Sequence, residues 1–239
     1  LMREPDPVHE TPPPTLAPQP AVKEEPVDPW PEDFAQEEIT EPPPPPLPPL
    51  DESDEPIKQE LAVIAGSDAL VQYLVKDQVI SRLVATVDAL ESRQVPPLVN
   101  PIKSPAGKFV VVAEGDRYLV GEDNATRYDA YIELLQQMNS TMLASVYKHY
   151  YPLFQQAWED NGGEGLFNDR LLVIIDHLLQ TPDVDGVVYL LKPEAVYLYE
   201  DPELEALTAG QKTLLRMGPD NAAVVKSKLS EIRELLNTD

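Results

Sequence analysis

The densest group of titratable and hydrogen-bonding side chains is Asn168, Asp169, Arg170, Asp176 and His177. Arg170 and His177 lie seven residues apart, as do Asp169 and Asp176, so in a helix each pair shares a face. An aspartate and a histidine on neighbouring turns suit acid–base work. Asp176 and His177 themselves are adjacent, so their side chains diverge and form no dyad. The plainer reading caps a helix with Asn168 and Asp169, pairs Arg170 with an acid and leaves His177 at the helix edge. A second group is Gly210, Gln211, Lys212, Arg216 and Gly218. Two cations near a helix N-terminus can hold an anion, or can simply pair with Glu203, Glu205 or Asp220. The anion or partner site expected from the sequence is therefore Arg170, Lys212 and Arg216, with Gln211 and His177 beside them. It exists only if the Gly210–Pro219 segment folds back near the Asn168 end of the earlier helix.

Other chemistry finds little support. There is no GxSxG elbow, Walker loop, GxGxxG or HExxH. The three His are widely separated and have no metal-ligand spacing. Glu159, Asp160 and Glu164 flank Gly162-Gly163 but lack the alternation of a calcium loop. Tyr147, Tyr150, Tyr151, Phe154 and Trp158 fit a core stripe better than a sugar or peptide groove. We expect no catalytic residue, no metal and no cofactor.

These side chains must be held by a domain that the pattern begins at residue 57. Asp77 is placed to cap a helix with the stripe Val79, Ile80, Leu83, Val84, Val87 and Leu90. A shorter helix from Ser67-Asp68, carrying Leu70, Val71, Leu74 and Val75, would pair with it as a helical hairpin over 57–95. The prolines of the Val95–Lys108 stretch end it. Residues 109–113 and 117–120 flank Glu114-Gly115-Asp116 as a β-hairpin. Helices follow on Tyr128 to Met138 and from about Ser140, the second with a kink or break at Pro152. Asn168 should cap Asp169–Gln180, apolar nearly all round and so central. A second hairpin pairs Val187–Leu191 with Ala195–Tyr199 across Lys192-Pro193-Glu194. A last helix starts at Gly218-Pro219. Strands arriving as hairpins predict an α+β domain over 57–239, mainly helical, with a small antiparallel sheet and a mixed part over 108–239.

Residues 1–56 are different in kind. Through residue 60 the chain holds 18 of its 27 prolines, with 16 Asp/Glu against 3 Lys/Arg. Such a segment cannot bury enough apolar surface to offset its ordering entropy. We read it as a disordered, extended spacer, with Trp30, Phe34, Ile39, Leu47 and Leu50 as isolated apolar beads. A net charge of -24 argues against nucleic-acid binding and against adhesion to an anionic membrane surface. With no Cys there is no disulfide framework and no thiolate chemistry. No apolar run is long enough to span a bilayer. Residue 1 is Leu, so a longer chain with an N-terminal membrane anchor is expected.

Phe167-Asn168-Asp169-Arg170-Leu171, Asp176-His177-Leu178-Leu179, the run Tyr199 to Leu207, Gly210-Gln211-Lys212 and Leu215-Arg216-Met217-Gly218-Pro219 together carry a resemblance. Over residues 60–238 the chain resembles the bacterial family called domain of unknown function 3014. Members resemble Gram-negative envelope proteins with one N-terminal span, an acidic Pro-rich spacer and this domain. The resemblance implies no activity. The expected function is a non-catalytic envelope interaction module on the periplasmic side of the inner membrane, with a protein or cell-wall partner. The alternatives are a carboxylate-dependent hydrolase of cell-wall material and a cytoplasmic partner-binding protein.

Overall fold

A computed structural model describes residues 46–66, 69–184 and 186–237. Among them it contains eight α-helices and one four-stranded sheet. The beads Trp30, Phe34 and Ile39 and the proposed helix start at Ser67-Asp68 lie outside the described residues.

Among the described residues, packed structure is already present from Leu47 on, within the stretch read as spacer. The sequence hides this because Pro and acids dominate the stretch. Leu47 and Leu50 nevertheless pack on the core, and Ser53 is buried. The first helix, α1, is Asp54–Ile64, upstream of the one expected near residue 67. Leu70 to Val75 instead carry a single 3-10 turn, Val71–Tyr73, and Leu74 bridges to Ile102. Helix α2, Val79–Ala89, starts after Gln78, the one described non-glycine residue with positive φ. Asp77 does not cap it. Asp54 does so from α1, accepting hydrogen bonds from the Gln78 and Val79 N–H groups at 2.7 and 2.8 Å. Local spacing cannot reveal a cap supplied from so far away. Nor do α1 and α2 form a helical hairpin; both pack on α4, Ser140–Asp160.

The 21-residue α4 passes through Pro152 without a break. Its Tyr150, Leu153, Phe154, Ala157 and Trp158 are buried, so the aromatic stripe belongs to the core. Between α2 and α4 come β1 (Val111–Glu114), β2 (Arg117–Val120), a 3-10 segment (Glu122–Tyr128) and α3 (Asp129–Gln137). Helix α5 is Phe167–Leu179. Asn168 is not its cap: the side chain accepts from the Tyr147 hydroxyl at 3.3 Å, while the Phe167 N–H donates to Gln155 Oε1 at 2.8 Å. Phe167, Ile174, Ile175 and Leu178 are buried, but Val173 is 53% exposed, so α5 is not covered all round. The core joins α1, α2, α4, α5, α7 (Ala209–Met217) and α8 (Pro219–Leu236).

Strands β3 (Tyr189–Leu191) and β4 (Leu198–Tyr199) form the second hairpin, with shorter strands than expected and a six-residue loop. Antiparallel pairing of β2 with β3 joins the two hairpins in the order β1-β2-β3-β4. The architecture is thus α+β, with a small antiparallel sheet. Tyr118, Leu190 and Tyr199 are partners across β2, β3 and β4 and so share one face. Helix α6, Pro202–Ala206, follows, capped by Asp201. Among the described residues no helix is long and apolar enough to cross a membrane.

Candidate functional site

The Gly210–Pro219 segment does fold back onto α5, but at its His177 end. Gln211 Nε2 donates to the His177 carbonyl at 3.3 Å, and His177 Nε2 meets Thr208 Oγ1 at 2.9 Å. Thr208 and Gln211 form a capping box that starts α7. The signal, a Thr followed three residues later by Gln, was legible in the sequence. Gln211 is buried, so its amide works inside the fold and not toward a ligand. Gly210 lets this contact close: a Cβ there would stand 2.6 Å from Leu178 Cδ2 and 3.0 Å from the Leu90 carbonyl.

Arg170 stands apart. Seven residues of helix separate it from His177 by about 10 Å along the axis. Its guanidinium spans α2, reaching Asp88 Oδ1 at 2.9 Å, Glu91 Oε2 at 2.7 Å and the Asp88 carbonyl at 3.2 Å. Those hydrogen bonds raise its pKa against the opposing effect of burial, the largest single cause. Arg170 therefore clamps α5 to α2, as the plainer reading held, and does not join Lys212 and Arg216. Asp176 binds Arg233 of α8 and is held below its ordinary pKa by that hydrogen bond. Asp176 and His177 thus turn to different helices.

Lys212 and Arg216, one turn apart on α7, both reach the buried end of β4. Lys212 Nζ meets Glu205 Oε1 at 2.6 Å and lies 5.9 Å from the Tyr199 ring centroid. Glu205 Oε2 accepts from the Tyr199 N–H at 2.8 Å. Burial would push the Glu205 carboxyl up, but its hydrogen bonds from Lys212 and Tyr199 and the nearby charges hold it below 4.5. A lowered carboxyl pKa contributes stability that is present above the unfolded value and lost as pH falls through the folded one. Glu205→Gln should therefore be less stable than the parent at neutral pH, with the gap closing below pH 4.5. Urea unfolding of both proteins across acid pH checks this; a gap that is constant with pH contradicts it.

Arg216 has no such partner. Among the described residues it makes no ion pair; its guanidinium carbon lies 5.9 Å from the Phe109 ring centroid. It also sits beside the Tyr199 hydroxyl. Burial raises the Tyr199 pKa, and the charge and close hydrogen-bonding approach of Arg216 oppose the rise, although the strict geometry of a hydrogen bond is not met. Tyr199 is 6% exposed, and its hydroxyl is buried with no hydrogen-bond partner.

Arg216 and Tyr199 line a cleft of about 920 Å³ between the sheet, the segment leading into β3 and the α7–α8 corner. Its walls are mostly apolar: Val112 and Leu119 from the sheet, Val187 from the segment ahead of β3, Leu214, Leu215 and Ala222 from the corner. Val112 and Val187 are 53% and 61% exposed and form a rim. The wall made by the segment ahead of β3 is pinned by Lys226, which donates to the Thr181 carbonyl at 2.7 Å and meets Asp183 at 2.6 Å. At the corner, Gly218 has φ +84°, a conformation glycine adopts without strain, and it lets α8 turn off α7. Asn124 ties the walls together. Fully buried, it donates to the Arg216 carbonyl at 2.6 Å and accepts from the Val110 N–H at 3.2 Å and from Arg127 at 2.9 Å. Sequence reasoning missed both Asn124 and Tyr199; neither has a local pattern that marks it. Among the described residues no group of three or more His, Asp or Glu side chains is placed to hold a metal.

A mainly helical α+β domain with an apolar cleft that holds, among the described residues, one cation without an ion pair is the class that fold and site define. The model of the family described as "Protein of unknown function (DUF3014)" matches residues 79–233, and the chain belongs to that family. No curated protein and no solved structure matches the chain.

Proposed function

We propose that this chain is a non-catalytic binding module of the bacterial envelope whose ligand or partner occupies the cleft between the sheet and the α7–α8 corner. The carrying observation is the cleft itself: apolar walls around Arg216, a cation that makes no ion pair among the described residues and feels Glu205 only at longer range. That arrangement suits holding a molecule, since small-molecule sites of 300–1,000 Å³ are apolar with a few polar groups that fix orientation. A hydrolase using carboxylates wants one acid kept protonated near neutral pH. Here the carboxyls whose pKa is displaced, Asp176, Glu205 and Glu231, all move down, because each is bonded to a cation, a hydroxyl or a backbone N–H. The acidic, Pro-rich composition of residues 1–45 supports a spacer, and the family resemblance supports a periplasmic position on an inner-membrane anchor.

Two measurements test this. A neutral apolar fluorophore, methyl dansylundecanoate, should bind the parent saturably. Val112→Glu with Val187→Glu, which place acids on the exposed rim, should weaken it about tenfold. Equal binding by the double variant would put the probe elsewhere and end the cleft reading. For compartment, protease added to spheroplasts of cells producing the full-length protein should digest the domain. Resistance until lysis would favour the cytoplasmic reading.

A further inference from the structure

The cleft contains two features that a purely apolar ligand would leave unused. One is the Tyr199 hydroxyl, a donor buried with no partner in a residue only 6% exposed. Buried polar groups in folded proteins are paired almost without exception, and one that is not calls for a missing partner. The other is Arg216, beside that hydroxyl and without an ion pair among the described residues. A phenol O–H and a guanidinium N–H are both donors. The phenol oxygen can accept from one guanidinium N–H, but the phenol O–H and the remaining guanidinium N–H groups still need an acceptor. An oxygen carrying negative charge, placed between them, would satisfy both.

The charges around the cleft limit what that oxygen belongs to. Arg216 and Lys226 line it, and so do Asp123 and Asp183. Lys226 is already bound to Asp183 and to the Thr181 carbonyl. Only Arg216 is left to receive an anion, and Asp123 stands in the same cleft. One negative charge is accommodated; a dianionic phosphate would carry a second with no cation to meet it. The remaining walls, Val112, Leu119, Val187, Leu214, Leu215 and Ala222, offer nothing polar from their side chains. They suit a hydrocarbon body.

We propose that the cleft binds a monocarboxylate with a long apolar body, its carboxylate accepting from Tyr199 and Arg216 and its chain lying between the sheet and the α7–α8 corner. This rests on the reading of the cleft as a binding site and adds the head group. Asn124 is then a positioning residue, since its amide holds the Arg216 carbonyl and so fixes where the cation starts.

The experiment uses the full chain with dansylundecanoate, its methyl ester and dodecyl phosphate as probes. The parent should bind the acid at least about tenfold more tightly than the ester, the worth of a charge-assisted hydrogen bond. Arg216→Met keeps an apolar stem and removes the cation. It should bring the acid down to the affinity of the ester, leaving the ester unchanged. Tyr199→Phe should weaken the acid severalfold and again spare the ester. Dodecyl phosphate should compete less well than dodecanoate. Ester binding equal to acid binding in the parent would overturn the carboxylate site while leaving the cleft a binding site. Binding of neither compound would end both. Stronger competition by dodecyl phosphate would replace the carboxylate by a phosphate and overturn the proposal. Thermal melts of each variant confirm the fold, and if Arg216→Met fails to fold, the Tyr199→Phe series decides the question by itself.

Discussion

Phe167→Ala should lower the unfolding free energy by about 3–5 kcal/mol, the cost of deleting a fully buried aromatic ring. Phe167 is 1% exposed. Its ring stacks on Phe154 at 6.0 Å and 3°, and lies 6.0 Å from Trp158. It is the first residue of α5, so its ring seals α5 onto α4 while its N–H is held by Gln155. A cavity at this point has rigid walls, and collapse would have to move α4 against α5. In a domain of this size the loss amounts to roughly 6–20 °C in melting temperature. Urea unfolding followed by circular dichroism measures it. Trp158 fluorescence alone would mislead, because the indole touches the deleted ring. A variant melting within a degree or two of the parent would mean that α5 is not central to the core.

Asn124→Ala should be the most damaging change of a polar residue. Asn124 is completely buried and makes three hydrogen bonds to three parts of the chain: Val110 at the start of β1, Arg127 in its own 3-10 segment, and Arg216 at the end of α7. Alanine would strand the Val110 N–H and the Arg216 carbonyl. Each buried group left without a partner costs about 1–3 kcal/mol, so a total of about 2–5 kcal/mol is expected. Asn124→Asp separates the two halves of the effect. It keeps the acceptor for Val110 and Arg127 but replaces the donor facing the Arg216 carbonyl by an oxygen, so Asp should not rescue Ala. If either variant unfolds with the parent's midpoint, Asn124 does not tie the sheet to α7, and the cleft walls are held by other contacts.

Both variants expose the division between what is local and what is not. The type of most elements was legible in the residues, because hydrophobic periodicity and turn chemistry act over a few positions. Of the stripe Val79, Ile80, Leu83, Val84, Val87 and Leu90, the four at 79, 80, 84 and 87 are buried and Leu90 packs partly on the core, whereas Leu83 is 36% exposed at the edge of the stripe; Val111–Glu114 pairs with Arg117–Val120 across a two-residue turn. The Pro219 start of α8 and the reading of Arg170 as a paired structural cation follow from equally short-range rules. The α+β class and the family were within reach for the same reason: both depend on ordered local patterns along one chain.

Where those patterns need a partner from far away, the sequence was silent or misled. Asp77 looks like the cap of α2, yet Asp54 performs the task, because packing of α1 brings its carboxylate to the helix end. Leu47 and Leu50 look like beads on a spacer, yet the core covers them, a matter of burial that composition averages away. Lys212 and Arg216 are one helical turn apart, yet one is neutralised by Glu205 and the other faces a cleft. Tyr199 is one of ten tyrosines in the sequence, and nothing around it marks the hydroxyl as unpartnered. That distinction arises only when β4 is laid beneath α7 and the segment ahead of β3 closes the cleft. Hydrogen-bond satisfaction is a property of the assembled surroundings, and so only the tertiary structure decides it.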